Sequence, residues 1–94
     1  MTQIEYLLTC LVEECAEVQK ETTKILRFGT SGHHPKVSIS NIEKLHKEYI
    51  DVIAIFDLLR DQKLIDTTNI DINEEVEKKK KRVLKYYEEY DRKL

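Results

Sequence analysis

From Tyr49 to Leu59 the chain is apolar around almost the whole circumference of a helix, and a pair of carboxylates, Glu48 just before this run and Asp51 within it, faces that apolar surface. A helix that is hydrophobic all round needs cover on every side, so it is expected to be buried. At about 100° per residue, Glu48 falls between Val52 and Ile55, and Asp51 falls beside Leu58. Carboxylates in such a setting are costly unless a cation or a salt bridge offsets them. Left alone, each would tend to take up a proton. A fold for this chain must cover that helix and compensate its acids.

Helical periodicity extends over most of the remaining sequence. Ile4, Leu7, Leu8, Leu11, Cys15, Val18, Ile25 and Leu26 predict a first helix from about Thr2 to Phe28, stopped by Gly29. Thr30 to Ile39 reads as a loop, with Gly32, His33, His34 and Pro35 as breakers. Ser40-Asn41-Ile42-Glu43 reads as a capping box that opens a second helix running to about Gln62. Leu64 to Ile72 is a second connection. Asp71 or Asn73 is placed to cap a third helix, with Glu74 and Glu75 favourable in its first turn. Val76, Val83, Tyr87, Tyr90 and Leu94 give that helix a narrow apolar seam near heptad spacing. The expected fold is all-α, with three main helices in one domain over residues 1–94.

Three helices are too few to cover the apolar second helix on every side. The expectation is a homo-oligomer, a homo-dimer or homo-tetramer, whose subunits complete a four-helix-bundle-type core. At 94 residues the chain has a limited core of its own. Its single Pro and two Gly suit long helices with few turns. A net charge of -2 argues against general nucleic-acid binding, which shows a basic excess. Cys10 and Cys15 share one predicted helix and are poorly placed for a disulfide. Reduced thiols and no apparent signal sequence lead to a cytoplasmic expectation. No apolar run reaches the roughly 18 residues of a membrane span.

A second acidic group lies in Glu13-Glu14-Cys15-Ala16-Glu17. Glu14 and Glu17, like Glu48 and Asp51, have the i,i+3 spacing that places both on one side of a helix. Glu14 and Glu21 border the apolar stripe of the first helix, and Glu17 lies about 60° from Glu14. Glu13 lies about 100° from Glu14, away from the stripe. The expected metal ligands are thus Glu14, Glu17, Glu48 and Asp51. An all-oxygen set selects a hard cation, Mg²⁺ with Mn²⁺ as substitute, over zinc. A di-iron bundle needs two Glu-x-x-His motifs, and only Glu43-Lys44-Leu45-His46 is present. The plainer alternative is a structural salt bridge from Glu48 and Asp51 to Lys20, Lys24 or Lys44.

Glu13-Glu14-x-x-Glu17 followed by Glu48-x-x-Asp51 resembles the signature of the MazG-like all-α nucleoside triphosphate pyrophosphohydrolases. That group includes dimeric dUTPases, dCTP pyrophosphatases and phosphoribosyl-ATP pyrophosphohydrolase. Leu11 to Val18 is close to the family pattern, and Leu26-Arg27-Phe28-Gly29 is similar to small phage and bacterial members. The resemblance covers the first two helices well and the third loosely. It implies hydrolysis of a (deoxy)nucleoside triphosphate between the α- and β-phosphates, in nucleotide-pool control. It also implies that Glu14, Glu17, Glu48 and Asp51 hold Mg²⁺. Glu13 or Glu17 would then serve as general base. The rival readings are a non-catalytic helical oligomerisation module with structural ion pairs, and a relative acting on phosphoribosyl-ATP.

Lys78-Lys79-Lys80-Lys81-Arg82 with Lys85 is the basic cluster of the chain. Lys78, Arg82 and Lys85 have the three- and four-residue spacings that gather charges for triphosphate oxygens; otherwise the run is a solvated face. His33 and His34 read as exposed loop residues. Tyr86, Tyr87 and Tyr90 read as core or interface, and Cys10 as packing.

Overall fold

Each of three helices starts at a side-chain cap written in the sequence. The computed structural model describes residues 1–31 and 39–93. Helix α1 spans Gln3–Phe28, α2 spans Asn41–Asp61 and α3 spans Ile72–Lys93, with no strand among the described residues. Gly32, His33, His34, Pro35 and Leu94 lie outside the described residues. At the start of α1, the Thr2 hydroxyl accepts the Glu5 N–H at 3.2 Å, and the Glu5 carboxylate reaches back to the Thr2 N–H. That reciprocal pair satisfies two donors the helix itself cannot. Gly29 ends α1 at φ 86°, where its N–H donates to Ile25. A side chain at that φ would be strained, which explains the glycine.

Ser40 caps α2 by accepting the Glu43 N–H at 3.3 Å, while its hydroxyl donates to the Glu43 carboxylate. The C-terminus of α2 closes as a Schellman turn: Leu64 N–H donates to Leu59, and Lys63 N–H donates to Arg60. Lys63 takes the positive φ, 56°, that glycine usually fills there. In the following connection Asp66 accepts both the N–H and the hydroxyl of Thr68. Those bonds hold the Asp66 carboxyl below its ordinary range. Of the two candidate caps for α3, Asp71 serves, accepting the Glu74 N–H at 3.1 Å.

Helices α1 and α2 form an antiparallel hairpin. Its loop end is tied by Asn41, 4% exposed, whose Nδ2 donates to the Gly29 carbonyl at 3.1 Å. Ile42 N–H donates to the Thr30 carbonyl beside it. Each such bond contributes about 1 kcal/mol net. Among the described residues, Leu7 at 6% and Leu59 at 1% exposure are the buried apolar side chains. Burying a leucine contributes roughly 1.5–3 kcal/mol. Leu11, Val18, Leu45, Val52 and Ile55 are half-buried along the same seam.

The expectation that α2 is buried all round is corrected within the single chain. One face meets α1, whereas Tyr49, Ile50, Ile53, Phe56 and Leu58 are exposed. Helix α3 packs on neither α1 nor α2, and its side chains from Ile72 to Tyr90 are exposed. Tyr86, Tyr87 and Tyr90 are therefore not core residues of one chain. The radius of gyration is 16.9 Å, against about 12 Å for a compact chain of this length.

Candidate metal centre

The hairpin brings carboxylates from both helices together near its middle. Glu14 of α1 and Glu48 of α2 lie in the helix–helix seam and are half-buried. Asp51, three residues after Glu48, is exposed at the edge of the same seam. One oxygen from each of the three lies within 4.8 Å of the others. The sequence reading had Asp51 trapped beside an inward Leu58. Both residues are exposed instead, so the cluster opens to solvent on the Asp51 side.

Three carboxylates at this range repel one another, and the electrostatics shows it. The Glu14 carboxyl is pushed above its ordinary 4.5, first by partial burial and next by the Asp51 charge. Hydrogen bonding to Glu48, the Glu48 charge and the Glu17 charge add to the rise. Like charges gathered at a partly buried site are what raise a carboxyl in this way.

The salt-bridge alternative fails on geometry. Lys20 pairs with Glu17 at 3.9 Å, and Lys24 pairs with Glu21 at 3.3 Å. Among the described residues no lysine or arginine forms an ion pair with Glu14, Glu48 or Asp51. The donor set, three anionic oxygens with one open side, fits a hard divalent cation that keeps several waters. Among the described residues no Cys or His joins the cluster, which favours a hard cation over zinc.

The predicted site residues are gathered unevenly. Glu14, Glu48 and Asp51 meet, while Glu17 stands outside the cluster beside Lys20. Glu13 is exposed on α1. Lys78 is held by Glu74 and Glu75 of its own helix, at 3.2 and 3.5 Å. Lys78, Arg82 and Lys85 all lie on α3, away from the hairpin of the same chain. The residue that sequence reasoning underrated is Glu21, 6% exposed, with Oε2 lacking a hydrogen-bond partner among the described residues. Its signal was its position seven residues after Glu14, which returns it to the same face within about 20°. Compared with protein-family models, curated proteins and solved structures, the chain matches none.

A pH dependence follows from Glu14. Its folded pKa lies above the unfolded value, so the folded chain holds more protons between the two. Stability therefore falls as pH rises through that window. In metal-free protein the melting temperature is expected to decline from about pH 4.5 upward through the raised Glu14 value, and Glu14→Gln is expected to flatten that decline. An undiminished slope in Glu14→Gln, measured by thermal melts at fixed protein concentration, would assign the effect elsewhere.

Proposed function

We propose that this protein is an Mg²⁺-dependent nucleoside triphosphate pyrophosphohydrolase, of the MazG-like kind its acidic motifs resemble. The observation that carries the reading is the convergence of Glu14, Glu48 and Asp51 from two helices, with no lysine or arginine among the described residues paired to them. These three residues would hold Mg²⁺, with Mn²⁺ as substitute. The bound cation supplies neutralisation of phosphate charge and a more acidic water. Glu17, one turn along α1 from Glu14, is available to orient the attacking water and accept its proton. Its partner Lys20 is well exposed, and an exposed pair of that kind constrains a side chain little. Glu13 is the more peripheral candidate for the same task. In the reaction, water oxygen bonds to the α-phosphorus as the bridging oxygen departs with pyrophosphate.

The rival reading is a non-catalytic interaction module, and the exposed seam of α3 favours it. A panel of ribo- and deoxyribonucleoside triphosphates with Mg²⁺ separates the two. Monophosphate plus pyrophosphate is the expected product pair. Diphosphate plus phosphate, or no turnover of any member, would contradict the proposal. Phosphoribosyl-ATP belongs in the same panel, as the substrate of the related activity.

A further inference from the structure

Two unpartnered apolar stripes on this chain have the same spacing. On α2, Ile42, Tyr49, Ile53 and Phe56 follow one another at intervals of seven, four and three residues, and all are exposed. On α3, Val76, Val83, Tyr87 and Tyr90 repeat those intervals, also exposed. The α2 stripe borders two cavities, of about 510 and 400 Å³. We propose that α3 of each chain packs along the α2 stripe of a second copy, so that two chains exchange their third helices around a two-fold axis.

The surface area fits that occupant. The chain exposes 7975 Å², whereas a compact monomer of 11.2 kDa exposes about 5,700 Å². The surplus, about 2,300 Å², matches what one subunit of an obligate dimer buries. Charge complementarity points the same way. Residues 72–93 carry eight Lys and Arg against six Asp and Glu, a net +2. Residues 1–31 and 39–71 carry seven against twelve, a net -5. The connection keeps α3 off its own hairpin: Ile65, Ile70 and Ile72 line the cavity against Ile53 and Phe56, and α3 leaves from there.

An exchange of identical elements is isologous and closes at two chains. It also supplies the cover that the apolar circumference of α2 demands. Tyr49 lies about 160° around α2 from Asp51, so the stripe opens away from the acidic cluster. The dimer therefore leaves the cluster accessible, and the proposal stands apart from the catalytic reading.

Light scattering is expected to give twice 11.2 kDa for the wild-type chain. Val83→Asp and Phe56→Asp are each expected to give single chains, and their mixture is expected to regain the dimer. In the mixed pair, the intact α3 of one chain meets the intact α2 stripe of the other. A wild-type monomer would overturn the proposal. So would a dimer disrupted by Val83→Asp but not by Phe56→Asp, which indicates α3 pairing with α3. If either variant loses its helix content, wild-type chains of light and heavy nitrogen are mixed and treated with an amine cross-linker. Light–heavy links from Lys79 or Lys80 to Lys44 or Lys47 are expected, and their absence overturns the exchange.

Discussion

Glu48→Gln is expected to lower pyrophosphate release by at least 10²–10³-fold while leaving the hairpin folded, a loss of the size seen when one preorganised electrostatic group is removed. The change keeps shape and removes one of three clustered charges. A neutral amide is a weak ligand for a hard cation. In metal-free protein the same change relieves repulsion on Glu14, whose carboxyl is held high first by partial burial and then by Asp51 and Glu48. Activity and stability therefore move in opposite directions: turnover falls, and the metal-free melting temperature stays level or rises. Steady-state kinetics and circular dichroism melts read the two separately. Wild-type turnover would remove Glu48 from the site, and a large drop in melting temperature would make it a structural residue.

The second large effect is stabilisation by the cation. A ligand that binds only the folded state adds about 2.7 kcal/mol at 100 times its dissociation constant. In a domain of this size each kcal/mol moves the melting temperature by about 4–8 °C. Saturating Mg²⁺ or Mn²⁺ is thus expected to raise it by roughly 10 °C or more. The cation displaces the Glu14 proton, so the gain should be larger at neutral pH than near pH 4.5.

The helix ends were readable because each depends on local chemistry. Gly29 and Ser40 act as their residue types predict, and Asp71 takes the cap for which Asn73 was the other candidate. Lys63 was not readable as a terminator, since a lysine gives no sign that it will take a positive φ. Wheel geometry correctly joined Glu14 to Glu48 and Asp51, because i,i+3 and seam positions follow from helical pitch alone. It did not separate Glu17 from them, because about 60° of rotation is enough to carry a side chain to the Lys20 side. Nor did it show that Asn41 ties the hairpin to Gly29, a contact across twelve residues. The apolar circumference of α2 was legible, but what covers it was not. Hydrophobicity dictates that a face be buried and is silent on which helix buries it.

The most direct test of the acidic cluster as a divalent-cation site is Mn²⁺ binding followed by electron paramagnetic resonance at neutral pH, on wild-type, Glu14→Gln, Glu48→Gln and Asp51→Asn chains. Loss of an outer-shell partner alone weakens metal binding about 10–100-fold, so each of these ligand substitutions is expected to weaken it by at least about 10-fold. Mn²⁺ that binds all four chains equally, or none of them, would contradict the assignment of Glu14, Glu48 and Asp51 as its ligands.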